Sequence, residues 1–166
     1  MEQLIGRIER AVEALARERA RVEAGEPWPL SERFDHAPEA SWGPPELLAH
    51  VSEMLPFWLG EVERVIAGAA EPVPFGRVGD DPVRIAIIAR DRSLPVGELY
   101  ARISQGVVRW TERLSTLTPT EQAKRGLHPT RGEMSVGAIV EGQIAGHLEE
   151  HAAQLATILD ARARQR

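Results

Sequence analysis

The chain has 166 residues, enough to bury one hydrophobic core, and its 43% hydrophobic and 27% charged residues are an ordinary globular balance. The net charge of −5 leaves no basic surplus for neutralising phosphates, which argues against a nucleic-acid partner. No cysteine is present, so disulfides, thiolate ligands and a Cys nucleophile are excluded, and any metal must be held by imidazole, carboxylate or water.

The opening run Met1-Glu2-Gln3-Leu4-Ile5 carries an acid early and does not read as a signal peptide. The longest apolar run, Ile85 to Ala89, is too short to span a bilayer. No membrane partner is therefore expected, and a cytoplasmic location is the default.

In chain order, residues 2–24 read as an amphipathic helix, with Leu4, Ile8, Val12, Leu15 and Val22 at helical steps. Gly25 and Pro27 end it. Residues 25–43 form a long connection whose Trp28, Phe34 and Trp42 should pack it down. A second helix starts at Pro44, since proline suits the first helical position. It carries Leu47, His50, Met54, Phe57, Glu61 and Val65 on one stripe, and Pro56 should kink it. Residues 69–94 read as a loop with one helical turn near Val83–Ala89. A third helix covers residues 95–117. Thr118-Pro119-Thr120-Glu121 is a capping-box pattern opening a short helix. Gly126 to Gly132 reads as a turn, and a fourth long helix runs from Val136 to Arg162. One domain over residues 1–166 is expected, an all-α four-helix bundle with long inter-helix loops.

His147 and His151 are four residues apart on the fourth helix, which places both rings on one face within reach of a shared ion. Two such ligands need a third. His50 lies on the inward stripe of the second helix, where an unsatisfied ring would be costly. A pattern of this kind is also met with hydrogen-bonded core histidines, and spacing alone leaves the two readings level.

The segment His147-Leu148-Glu149-Glu150-His151 also spells the H-x-x-E-H pattern of inverted zinc proteases. Those enzymes take another carboxylate ligand well downstream, and only 15 residues follow His151. Leu148 occupies the position where the H-E-x-x-H pattern needs its glutamate.

Three stretches then carry a resemblance: Trp42-Gly43-Pro44-Pro45-Glu46-Leu47-Leu48-Ala49-His50, the turn Arg125 to Val136, and His147 to Leu155 with its H-x-x-x-H and following Gln154. Their order and spacing resemble the DinB-like superfamily, which includes YfiT-type metal hydrolases and thiol-dependent transferases. The resemblance implies a four-helix bundle of the DinB/YfiT-like type with up-down-down-up connectivity. It implies that His50, His147 and His151 ligate one divalent ion, zinc or nickel, with solvent in the open positions. Gly43 departs from the pattern, which often has a capping Ser or Thr there, and puts the strength of that cap in doubt.

Around such an ion, Glu150 is the candidate general base, although a solvated helix acid is the simpler reading of it. Gln143 and Gln154 share the His147 face and could orient a ligand or border the apolar stripe. Glu46 and Glu53 flank His50 by one turn, with surface exposure the simpler expectation. His128 reads as a surface or turn residue, and His36 beside Asp35 as loop chemistry. Ser31, Ser41 and Ser135 read as helix-start or turn residues. Arg77, Arg84, Arg90 and Arg92 could bind carboxylates, with local pairing to Asp80, Asp81 and Asp91 the simpler account.

The implied function is a metal-dependent enzyme that activates water, or a low-molecular-weight thiol, against a small-molecule substrate. The alternative is a non-catalytic metal-binding or stress-related module. Homodimerisation is a further expectation, with no segment declaring the interface.

Overall fold

The structure is a computed structural model that describes residues 1–32, 41–69 and 72–164. Helix α1 spans Glu2–Arg17 and α2 spans Arg19–Ala24, so the first amphipathic stretch is broken only at Glu18. Ile8, Ala11, Leu15 and Val22 are its buried face. In the connection that follows, Trp28 donates its Nε1–H to the Val22 carbonyl at 2.8 Å and lies under the Arg162 guanidinium. That part of the connection packs down as its aromatic content implies; Phe34 and His36 lie outside the described residues.

Helix α3 spans Pro44–Ala67. Its N-cap Gly43 has no side chain to offer, and Glu46 closes the end instead, its Oε2 accepting the Gly43 amide at 3.1 Å. This is the glutamate half of a capping box, and it removes the doubt that Gly43 raised. The helix continues through Pro56, whose ring faces outward. Beside it, the Leu55 carbonyl accepts the Nε1–H of fully buried Trp110 at 2.9 Å.

Two regions differ from the sequence reading. Residues 82–91 form a full helix, α4 (Pro82–Asp91), where one turn was expected. Asp81 accepts the Arg84 amide at 2.9 Å and Pro82 fills the first helical position, a helix start that outweighs the strand-like run of isoleucines. The turn between Gly126 and Gly132 is a hairpin of β2 (Arg125–His128) and β3 (Gly132–Ser135). Strand β1 (Val73–Pro74) adds to β2 in parallel, pairing Val73 with Gly126, and β3 pairs antiparallel, Leu127 opposite Glu133. Strands of two and four residues are too short for an alternating pattern to declare them.

Helix α5 covers Val96–Thr116 and α6 covers Pro119–Ala123, the latter opened by the Thr118–Glu121 capping box. The last helix is one continuous rod: α7 (Val136–Val140), a π-helical segment (Glu141–Gly146) and α8 (His147–Ala163).

The four long helices form the bundle. Helix α1 packs against α5 and the final rod, and α3 packs against the same two. Arg7 pairs with Glu149 and Arg21 with Asp160, so the first and last helices run parallel. Trp110 meets Leu55 while Arg113 meets Glu63, so α3 and α5 run parallel. Tyr100 reaches the Leu15 carbonyl while Arg19 reaches Gly97, so α5 opposes α1. The result is an up-down-down-up bundle in which consecutive helices α1 and α3 sit on opposite corners, a crossing that needs a long connection. Among the described residues, no helix is long and apolar enough to cross a membrane.

Candidate metal centre

The π-helical segment sets the face on which the site is built. An α-helix has 3.6 residues per turn, so residues four apart drift around its axis. A π turn is wider and removes part of that drift, and such bulges recur at functional sites. Here Val140, Ile144 and Leu148, at four-residue steps, are all fully buried. Gln143, His147 and His151 form the neighbouring row, facing α3.

His50 comes to meet that row from α3. Its Nε2 lies 3.4 Å from His147 Nε2, and ligand atoms of His50, His147 and His151 all lie within 4.8 Å of one another. The sequence-predicted triad is therefore brought together. Ring centroids are 5.2 Å apart for His50–His147, 4.9 Å for His50–His151 and 4.6 Å for His147–His151. Trp42 sits against two of them, edge-on to His50 at 5.2 Å and stacked on His151 at 6.5 Å.

Neighbouring acceptors assign the ring protons. His151 Nδ1 is 2.9 Å from Gln154 Oε1, which makes Nδ1 the protonated nitrogen and Nε2 the lone-pair atom. The Gln143 backbone hydrogen-bonds the His147 ring, leaving Nε2 to face His50. Burial, reinforced by His151, Arg84, His147 and Arg77, holds His50 well below the usual imidazole range. His147 is pushed down to about 3, again mainly by burial, with His151, Arg84 and Arg131 adding to it. Both rings are thus neutral at pH 7, and their facing Nε2 atoms are suited to a shared cation. His50 Nδ1 is buried without a hydrogen-bond partner among the described residues. The donor set fits a divalent metal ion that accepts nitrogen ligands, and the three histidines could hold one.

His50 and His147 line a cleft of about 430 Å³, with His151 buried beside them. One wall carries Arg77 and Arg84, and the β2–β3 turn supplies Thr130 and Arg131. Gln143, buried to 3% exposure, lines it with an amide nitrogen that has no hydrogen-bond partner among the described residues. Glu150 is exposed at the rim. A larger cleft of about 750 Å³ between α3, α4 and α5 contains no histidine. Arg77, paired with Glu53, lines both clefts, and Glu53 lines the larger one. The chemistry points to the smaller one, where the ligand-type nitrogens converge.

Several residues sit otherwise than expected. Glu46 and Glu53, expected on the surface, are buried: Glu46 accepts from Ser31, Gly43 and Arg92, and Glu53 from Arg77. Their one-turn spacing from inward-facing His50 was the signal for this. Arg90 pairs with adjacent Asp91 as the local account required, whereas Arg77 and Arg92 cross to α3. His128 is buried rather than exposed. Its Nδ1 accepts the Thr130 and Arg131 amides, and it stacks on Trp58. Gly76, at φ +79°, passes so close that a Cβ there would lie 2.4 Å from the His128 ring. His128 is thus a turn-packing wall residue. Thr130 and Arg131 went unnoticed as cleft residues because only the hairpin brings them to the cleft.

No curated protein matches the chain. Among solved structures it is similar to a Bacillus subtilis protein described as "YfiT from Bacillus subtilis is a probable metal-dependent hydrolase with an unusual four-helix bundle topology". The TM-score is 0.63 at 16% identity, over 94% of this chain and 87% of that one, a likeness of fold. The DinB superfamily model matches residues 1–155, a span that includes all three histidines and all of the bundle but the end of its last helix, and this chain belongs to the DinB superfamily.

Proposed function

We propose that the chain is a metal-dependent enzyme whose centre is His50, His147 and His151, working on a small anionic substrate. The observation that carries this reading is the convergence of the three ring nitrogens within 4.8 Å at one side of an open cleft. The structural neighbour's description as a probable metal-dependent hydrolase supports the reaction class. The ion is zinc or nickel, both suited to imidazole ligands. When bound, it supplies Lewis acidity and lowers the pKa of the nucleophile, water in the first reading.

The chain's own residues divide the remaining work. Arg84 and Arg131 give the cleft a cationic wall that selects a carboxylate or similar anion. The Gln143 amide offers a hydrogen-bond donor for a substrate oxygen. Glu150, at the rim, takes the proton released by the nucleophile. A second reading, transfer of a low-molecular-weight thiol, is favoured by the same arginines. The chain has no cysteine of its own, and an external thiol bearing carboxylates would find its counter-charges there. Absence of cysteine also suits a cytoplasmic location, which is part of this proposal.

The test is metal content by mass spectrometry on protein purified without an affinity tag, beside His147→Ala. About one divalent ion per chain, lost in the variant, supports the centre. The loaded protein is then assayed on small carboxylate esters and amides, and on electrophiles with and without added thiol. No metal in the native protein, even after incubation with zinc and nickel salts, defeats the enzyme reading. Metal uptake without turnover of either kind supports a non-catalytic binding module.

A further inference from the structure

We propose that Glu53 is a positioning residue for His50: its carboxylate fixes the ring as the Nδ1–H tautomer, so that Nε2 keeps its lone pair for the metal centre. This deepens the proposed function and rests on His50 being a metal ligand.

The three rings are not equally supplied with hydrogen-bond partners. His147 and His151 each have an acceptor beyond the cluster, the Gln143 backbone and Gln154 Oε1. His50 Nδ1 has no hydrogen-bond partner among the described residues, although its ring is only 2% exposed. An imidazole in that position has two options. It can carry its proton on Nε2 and aim it at His147 Nε2, 3.4 Å away, which closes the centre. Alternatively, it can carry the proton on Nδ1 and leave Nε2 open.

Glu53 decides between them. It lies one turn along α3, with Oε2 4.0 Å from His50 Nδ1. A carboxylate can only accept, so it attracts an N–H and repels a lone pair. The gap is too long for a hydrogen bond. A small rotation of either side chain, or one bridging water, would close it. Burying a carboxylate beside a metal ligand is costly unless it is held. Glu53 is 7% exposed and is held by Arg77, whose Nη2 lies 2.5 Å from Oε2 and whose guanidinium covers the Phe57 ring at 3.7 Å. Arg77 thus holds Glu53 in place, and Glu53 orients the ring. Glu53 is not in the group of mutually close ligand atoms, so it acts through His50. A carboxylate behind a ligating histidine is a recurrent device for setting tautomer and affinity.

The experiment uses the full chain with ¹⁵N-labelled histidine. In metal-free wild type near pH 7, the His50 ring nitrogens should report the Nδ1–H form. The Glu53 oxygen that accepts from Arg77 is the same Oε2 that faces His50, so a glutamine could keep an acceptor there, and the variant that removes it is Glu53→Met, which is similar in length. Zinc affinity is then measured by chelator competition for wild type and Glu53→Met. With no acceptor at Nδ1, the ring should carry its proton on Nε2, aimed at His147, and the variant should bind zinc roughly 10–100-fold more weakly. Arg77→Lys, which retains the charge, should lose less. An Nε2–H tautomer in wild type would overturn the proposal without any variant, as would a well-folded Glu53→Met with unchanged tautomer and affinity. A wild-type Nδ1–H signal that Glu53→Met reverses, in a protein that takes up no zinc, would uphold the role of Glu53 and defeat the metal reading instead.

Discussion

His50 and His147 face each other with their Nε2 atoms 3.4 Å apart, across 97 residues of sequence. Two neutral imidazoles presenting lone pairs to each other is an unfavourable contact in a buried setting unless something positive lies between or beside them. Burial and three nearby guanidiniums disfavour a proton as that charge, because they depress both rings. Under the proposed function a shared metal ion supplies that charge, and its presence should be visible in stability as well as in composition.

Zinc should therefore raise the melting temperature of the metal-free protein. At a hundredfold excess over Kd, linkage gives about 2.7 kcal/mol. For a domain of this size that corresponds to roughly 5–10 °C. His147→Ala should show little of the shift. Thermal scans of the two proteins over a zinc series would check this, and an equal response in both would count against the triad.

The metal-free protein should lose stability as pH falls from about 6.5 toward 5. His50 and His147 are depressed in the folded state, His147 to about 3, so below about 6.5 the unfolded chain binds protons that the folded chain does not. Stability is therefore full above the unfolded pKa and declines as pH drops toward the folded one. By pH 5 the loss is at most about 2 kcal/mol per histidine. The window lies above the range in which Glu121 and Asp91 titrate, both of which are lowered by their hydrogen bonds. Urea midpoints at pH 7, 6 and 5 should fall in wild type, with a shallower slope in His147→Gln. Parallel slopes would show that the ring is not held neutral by its surroundings.

Much of this site was legible in the residues, and its limits have physical causes. The four-residue step from His147 to His151, and His50 among Leu47 and Met54, follow from helical periodicity, which long helices express strongly. The bundle was legible for the same reason. Elements without a period were not. Helix α4 hid behind β-branched residues, and the β1–β2–β3 sheet is built from pieces too short to alternate. Thr130 and Arg131 enter the cleft only through that hairpin. Glu46 and Glu53 were misplaced because a glutamate on a helix reads as solvated by default. The arginines that cross from the α3–α4 connection and the end of α4, with the Ser31 and Gly43 amides at Glu46, make their burial tolerable.

Arg131 should matter for ligand affinity and not for folding. It is exposed on the β2–β3 turn, lines the cleft, and pairs with no carboxylate among the described residues. A charge-assisted contact to a bound anion is worth about 1.5 kcal/mol, so Arg131→Ala should weaken binding roughly tenfold. Titration calorimetry of a small dicarboxylate into zinc-loaded protein would measure it. The melting temperature should stay within a degree or two of wild type, since the side chain supports nothing else. Undiminished affinity would remove Arg131 from the substrate wall.

Glu46 joins three parts of the chain. Its Oε1 accepts the Ser31 amide at 2.7 Å and Arg92 Nη1 at 3.1 Å, and its Oε2 accepts the Gly43 amide. It thereby ties the connection before α3 to the start of α3 and to the end of α4. Glu46→Ala would leave Arg92 and two backbone donors without this carboxylate in a site that is fully buried on the glutamate side. The loss should be about 3–5 kcal/mol, seen as a lower urea midpoint at unchanged m-value. Trp42, which packs on His50 and His151, directly precedes the capped residue Gly43, so loosening the cap should also weaken zinc binding. Glu46→Gln keeps one acceptor oxygen and should lie between the two. A Glu46→Ala protein with wild-type stability would mean that water replaces the carboxylate, and that the cap plays no part in holding Trp42 against the histidines.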